Sequence, residues 1–434
     1  MVRLAAAVFY FQPRMGTNKH KSTGGLLAGF NPWLHHFAVL TALATLGLVG
    51  MGGLVTSHGV GMAVPDWPTS YGYNMFALPL STWLTGGIFH EHTHRLWASF
   101  VGVLVVTLMR WMGGSKSRVP LMMIGGAEIL LGFLLIKIGA DWKGAGHFLA
   151  GIGSVVLLAG IVWVNNSPSE GRLPMWGWTA FWLVQLQGLL GGLRVVLDAQ
   201  VVANIKLGTA FGIFHGCLGQ GFLVLLAVIA LMTSRGWRGD CRLPIADCRL
   251  KTEKLGGVFL FATILIFIQL LIAATMRHQH AGLAISDFPL AYGKVWPDMS
   301  AEAVASYNLH RVEVTASEPI TAFQIGLQMA HRIVACLILA AVSFCAWKAR
   351  RVQSLLGAVA SVWLGLILIQ VSLGAWTIWS NKAADVATAH VVVGALSLVT
   401  GALGCLISFR RQTVNASSPV VDFPETTVTD RASV

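Results

Sequence analysis

The sequence predicts an all-α polytopic membrane protein whose body is a duplicated four-helix transmembrane bundle with one inserted helix pair. Two observations carry that fold class. Hydrophobic residues make up 55% of the 434-residue chain and charged residues 11%, against about 25% charged in a soluble domain. The phrase Gly-Met-Ala-Val-Pro-Asp-Trp-Pro-Thr-Ser-Tyr-Gly at residues 61–72 also returns 221 residues later, at 282–293, as Gly-Leu-Ala-Ile-Ser-Asp-Phe-Pro-Leu-Ala-Tyr-Gly. A repeat at fixed offset means a repeated structural unit.

Windows of roughly 20 apolar residues, the length that crosses a bilayer, fall at 34–56, 92–113, 119–139, 146–165, 175–197, 208–232, 255–276, 325–347, 354–378 and 387–409. That gives about ten spans. Lys137, Asp141 and Lys143 crowd the middle of 119–165, so one span plus a re-entrant piece is the alternative there. The organisation expected is a cytoplasmic N-terminal segment (1–33), an N-terminal bundle (34–235) carrying the inserted spans at 119–165, and a basic loop (236–254). A C-terminal bundle (255–410) and a polar, disordered tail (411–434) complete it.

A net charge of +12 invites a nucleic-acid reading, but its distribution argues for a membrane and no nucleic-acid partner. Twenty of the 30 Lys and Arg residues fall on one side when the spans alternate, and none lies in 57–90. Basic residues mark the cytoplasmic side, so both termini are expected inside. No clean signal-peptide core or cleavage site is visible in the first 30 residues. Cys217, Cys336, Cys345 and Cys405 fall in candidate helices. Cys241 and Cys248 lie in the basic loop at a spacing that matches no zinc pattern, which favours reduced cytoplasmic thiols.

Further anchors extend the duplication. Gln187-Gly188-Leu189-Leu190-Gly191 answers Gln370-Val371-Ser372-Leu373-Gly374. From His94 to Gln187 is 93 residues, but from His331 to Gln370 only 39. The first half therefore carries an insertion long enough for two spans. Without it each half has four helices, an even number, so both enter the membrane in the same direction, as parallel repeats about an axis along the membrane normal do.

Each repeated phrase is followed by a His-Arg pair, His94-Arg95 and His331-Arg332, and two more histidines match, His215 and His390. Alternating the spans puts all four near the outer face yet inside the apolar zone, each on its own helix. A lone intramembrane histidine is most often a packing residue. Four at one depth, paired by duplication, point instead to ligation. No Cys or Asp shares their frame, which disfavours zinc, whereas facing helices of a bundle hold cofactors in this way and two imidazoles complete a six-coordinate haem iron. The expected pairs are His94 with His215 and His331 with His390. Of the other histidines, His35 and His36 are expected at the inner interface and His58, His90, His278, His280 and His310 in outer loops. His92 stands close to His94 but on another helix face. Arg95 and Arg332 need anionic or carbonyl partners, and a haem propionate, a lipid headgroup or the local backbone would each serve.

The two halves differ in one acid. The first reads Glu91-His92-Thr93-His94-Arg95 and the second Gln328-Met329-Ala330-His331-Arg332. Glu91 lies three residues before His94, on one helix face, so the first site has a carboxylate where the second has an amide. A helix cap explains such an acid too. A reactive first site beside a redox second site is the sharper reading.

The Glu-x-x-His-Arg motif, four histidines on alternate helices, the duplicated bundle and the stretch Gly52–Ser57 together resemble the haem A synthase family over roughly residues 35–410. That resemblance implies oxidation of the C8 methyl of haem O to the formyl of haem A through hydroxylated intermediates. It implies that His94 and His215 hold the substrate haem, that His331 and His390 hold a haem b cofactor, and that Glu91 assists catalysis. Arg95 and Arg332 would then attend the two haems. Implied partners are membrane lipid, haem O synthase, assembly factors of cytochrome c oxidase and an unidentified electron acceptor, in a bacterial cytoplasmic membrane. The chain departs from the family in its extra spans and in having no cysteine in its outer loops. Two rivals remain: a di-haem b electron-transfer protein, disfavoured by Glu91 against Gln328, and a secondary transporter, disfavoured by charges gathered at the span ends.

Overall fold

The computed structural model describes residues 30–139, 142–162, 171–203, 205–238, 253–310, 319–351 and 355–416. Cys241, Cys248 and most of the expected basic loop and tail lie outside these residues. The long helices are α1 (Pro32–Ser57), α2 (Gly86–Gly113), α3 (Arg118–Ile138), α4 (Lys143–Ile161), α5 (Leu173–Val196) and α6 (Leu207–Thr233). They continue with α7 (Glu253–His278), the short α8 (Ala301–Leu309), α9 (Ala322–Arg350), α10 (Leu355–Trp379) and α11 (Ala384–Ala416). Nine stretches among the described residues are long and apolar enough to cross a membrane, and one of them, the 53-residue Gly86–Ile138, contains both α2 and α3. The break between these two comes at Gly114, whose φ of +53° a glycine accepts at no steric cost. The described residues therefore form an all-α polytopic membrane protein apart from a two-residue hairpin pairing Val201–Val202 with Ile205–Lys206.

Two rings of four helices make the body. In the first, α1 packs on α2, α2 on α5, α5 on α6 and α6 on α1; in the second, α7, α9, α10 and α11 close the same circuit. The rings meet through α1 on α11, α6 on α7, and α6 on α11. Exchanging the halves maps the first of these contacts onto the second and leaves the third unchanged, which is the pseudo-two-fold relation that the sequence repeat predicts.

The inserted residues are two full helices rather than a span and a re-entrant piece. They touch backbone to backbone because their facing positions are glycines seven residues apart. A Cβ on Gly132 would lie 2.6 Å from the Gly146 carbonyl oxygen, and one on Gly125 2.6 Å from that of Gly153. Small residues of this kind let transmembrane helices approach closely. At the loop-bearing end of the bundle, Phe148 of α4 packs on Trp67 with ring centres 4.6 Å apart. Trp67 in turn fills the space above Gly192 of α5, where a Cβ would come within 2.3 Å of its ring. The opposite end of the bundle holds a buried apolar cluster in the second ring. There Phe259 and Trp363 stack with ring centres 5.4 Å apart, both fully buried.

Candidate functional site

The repeated phrases fold into two copies of one loop. Asp66 accepts hydrogen bonds from the amides of Tyr71 (2.7 Å) and Gly72 (2.9 Å), and Asp287 accepts from Tyr292 and Gly293 at the same distances. Tyr71 and Tyr292 both take positive φ, 54° and 52°, and donate their hydroxyls to the carbonyls of Ala63 and Ala284. Partial burial alone would raise the carboxyl pKa of Asp66. Bonds from the Thr69 hydroxyl and from the Gly72 and Tyr71 amides outweigh it and hold the group below the ordinary carboxylate range.

Each loop is clamped to the helix that follows it. Buried Glu91 accepts from the Val64 amide at 2.9 Å, and buried Gln328 accepts from the Ile285 amide at 2.6 Å. Arg95 donates to the carbonyls of Asp66 (2.7 Å), Val64 (2.9 Å) and Thr69 (3.2 Å); Arg332 donates to those of Asp287 (2.7 Å) and Leu290 (2.8 Å). Among the described residues the loop carbonyls converge on both guanidinium groups, which ties each arginine to its loop. One contact separates the halves: Arg95 also pairs with Glu91 at 2.7 Å, whereas Gln328 donates its amide to the Gly282 and Ile285 carbonyls. The shared task of positions 91 and 328 is to hold the loop, and the difference between them is charge.

The four histidines sit about two turns into α2, α6, α9 and α11. His331 and His390 face each other across their ring with ring centres 6.4 Å apart. Two imidazoles bound to opposite faces of one iron, with metal–nitrogen bonds of about 2 Å, have ring centres roughly 6 to 6.5 Å apart. Nδ1 of all four histidines is buried without a hydrogen-bond partner, an arrangement that costs free energy unless a ligand reorganises it. Glycines hold three of the four rings. A Cβ on Gly52 would stand 3.1 Å from His94 Cε1, one on Gly191 3.2 Å from His215, and one on Gly374 3.2 Å from His390. Gly191 and Gly374 are repeat partners, as are Gln187 and Gln370, which lie beside His215 and His390. The residues present fit a bis-histidine haem in the second half, and in the first half His94 and His215 occupy the repeat-equivalent positions close enough to act on each other electrostatically. No cluster of His, Cys, Asp and Glu suited to a bare metal ion occurs among the described residues.

The remaining described histidines divide as their positions suggest, with two corrections, the first being that His90, expected in an outer loop, lies in the opening turns of α2. His35 is buried and bonds to the Ala230 carbonyl at 3.0 Å; His92 bonds to Ser70 at 3.2 Å and is not aimed with His94. His58 and His90 stack at 4.6 Å. His278, expected in an outer loop, instead ends α7 with its ring against Gly212 of α6.

Three charged residues escaped the sequence reading. Arg194 ends α5 and Arg277 lies near the end of α7, both beside the histidine pairs. Glu128 of α3 accepts from Gln185 of α5 at 3.0 Å, tying the inserted hairpin to the first ring. Each is a charge inside an apolar window or at its edge, the signal that marks functional or pairing groups in a membrane.

Comparison with known proteins agrees with this architecture. The family described as cytochrome oxidase assembly protein (COX15-CtaA) matches residues 142–402. This chain belongs to that family. The matched region begins at the second inserted helix and runs through the fourth histidine, so it contains three of the four. The chain is also similar to a protein named heme A synthase from Shouchella clausii (strain KSM-K16), with 25% identity over 279 residues, covering 64% of this chain and 70% of that protein.

Proposed function

We propose that this chain is a haem A synthase. It oxidises the C8 methyl of haem O to a formyl group, through hydroxylated intermediates, to supply haem A to cytochrome c oxidase. The observation that carries the reading is the pairing of His331 with His390 at 6.4 Å, together with four buried histidines lacking Nδ1 partners in a chain of this family. His94 and His215 hold the substrate haem, and His331 and His390 hold haem b. A haem bound at the second pair supplies one-electron redox chemistry. The protein's own contribution is orientation and charge. The glycines behind His94, His215 and His390 would keep those imidazoles in place for the group, and the clamped loop is fixed to the helix that carries His94. Glu91 is the catalytic candidate, placing a carboxylate one turn from His94 where the second site has Gln328. The membrane is the bacterial cytoplasmic membrane, with both termini in the cytoplasm, and a reporter fused after Ser70 should read as external.

One observation favours a second reading. Glu91 and Gln328 make the same loop contact, as two equivalent sites of a di-haem b electron carrier would. Extracting the haems of the purified protein and identifying them by mass separates the two. Haem O, haem A or a hydroxylated intermediate beside haem b is the expected result; haem b alone, in cells that make haem O, supports the electron carrier.

A further inference from the structure

Between the two histidine pairs lies a group of cations with too few anions. The Arg194 guanidinium rests over Gly61, where a Cβ would come within 2.3 Å of its Nη2. It lies close enough to His94, His215, Glu91 and Asp198 to act on each electrostatically. Yet among the described residues Arg95–Glu91 is the only ion pair within bonding distance. Glu91 is already shared between Arg95 and the Val64 amide, and Asp198 is exposed. Arg277 reaches across the junction of the two rings, donating to the Gly53 carbonyl and the Ser57 hydroxyl of α1, each at 2.7 Å. It acts on His390 and on Arg194. His278 stands beside it, packed on α6 three residues from His215.

Neither arginine belongs to the repeat. At the 221-residue offset Arg277 answers Thr56, and by the Gln187–Gln370 register Arg194 answers Thr377. Each half thus has one half-buried guanidinium near its histidine pair, supplied from a different helix. Two such charges near each other are unfavourable unless anions join them, and a guanidinium pairs best with a carboxylate.

We infer that Arg194 and Arg277 bind the carboxylates of the two bound haems, Arg194 at the first site and Arg277 at the second, so that both haems turn their acidic edges toward the junction between the rings. The inference rests on the haem reading above and adds an orientation to it. In haem O the C8 methyl shares its pyrrole ring with a propionate side chain. A guanidinium that fixes that carboxylate therefore also fixes the methyl that reacts, which makes Arg194 a positioning residue for the choice of methyl.

The test compares iron protoporphyrin IX with its dimethyl ester, binding to full-length apoprotein in detergent. His94→Ala chains report the second site and His331→Ala chains the first. With the arginines intact, the free acid should bind about tenfold or more tightly than the ester, the scale of one charge-assisted hydrogen bond. Arg277→Gln should bring that ratio close to one at the second site, and Arg194→Gln should do so at the first. Arg277→Lys, which keeps the charge, should retain part of the preference and guards against a Gln variant that fails to fold. Arg277→Gln should also lower the midpoint potential of the retained haem, because removing a nearby positive charge favours the ferric form. Equal binding of acid and ester with the arginines intact overturns the inference while leaving the haem reading in place. Bound anionic phospholipid that disappears in the Gln variants would then assign these cations to lipid headgroups. Failure of the His331→Ala and His94→Ala chains, and of the unaltered chain, to bind either compound overturns both readings.

Discussion

The two halves of the molecule share a loop, a clamp and a pair of facing helices, yet they differ around the histidines, and the difference separates what holds the fold from what distinguishes the sites. The main contacts that hold the loop are duplicated: Asp66 with Asp287, Tyr71 with Tyr292, Arg95 with Arg332. What is not duplicated lies around the histidines. The first half has the Glu91–Arg95 ion pair, Arg194, and an inserted hairpin whose Phe148 presses on Trp67. The second has Gln328, Arg277, and Gln269 donating to the His331 carbonyl at 2.9 Å, where the first half has Leu48. Duplicated parts maintain the scaffold, and unduplicated parts are where two jobs can diverge.

The comparison also supplies its own control for the largest expected effect. Gln328 already shows that an amide can hold the loop amide at this position. Glu91→Gln should therefore keep the loop folded and the haem bound, while haem A formation falls roughly a hundredfold, on the order of 3 kcal/mol of lost charge stabilisation. Extracted haems from cells making the variant give the readout. Near-normal haem A would reduce Glu91 to a loop clamp, and loss of bound haem would make it structural.

A smaller effect should be confined to one half at a time. Valine at Gly191 or Gly374 pushes a side chain into the imidazole behind it, where a Cβ alone would already stand at 3.2 Å. Overpacking of this kind costs about 1–3 kcal/mol. Gly191→Val should weaken haem retention at the first site, and Gly374→Val at the second, each about tenfold or more, with the other site unchanged. Equal losses at both sites from either variant would mean that the two pairs do not act independently.

The smallest effect concerns the loop. A carboxyl held low in the folded state adds stability that is present above its unfolded pKa, near 4, and is lost as pH falls through the lower folded value. Hydrogen-exchange protection of the Tyr71 and Gly72 amides should thus persist down to about pH 5 and fall only in stronger acid. Asp66→Asn should remove that acid dependence. Protection already lost near about pH 6 would show that another group controls the loop.

Much of this was legible in the sequence because two signals were strong. Bilayer thickness fixes the length of an apolar span, so the windows match the observed helices to within a few residues; 119–139, for example, became α3 at Arg118–Ile138. The repeat turned four scattered histidines into two pairs. Partners were harder to read. Helix periodicity puts Glu91 and His94 on one side but says nothing of Val64, which lies 27 residues earlier and takes the carboxylate. For Arg95 and Arg332 the sequence names no partner, and only the folded loops bring the carbonyls of residues far apart in the chain to their guanidinium groups. Arg194 and Arg277 carry no repeat signal, because Thr377 and Thr56 stand at their counterpart positions. His278 was assigned to a loop because its apolar window ended two residues earlier, although α7 continues through it to meet α6.

The central claim is that each half holds its own haem through its own histidine pair, and His331→Ala tests it most directly. The purified full-length variant is assayed for haem content and optical spectrum beside the unaltered protein and His94→Ala. The account predicts that His331→Ala loses the low-spin haem b signal while its first site still takes up haem O, and that His94→Ala does the reverse. Full haem b content in His331→Ala would contradict it.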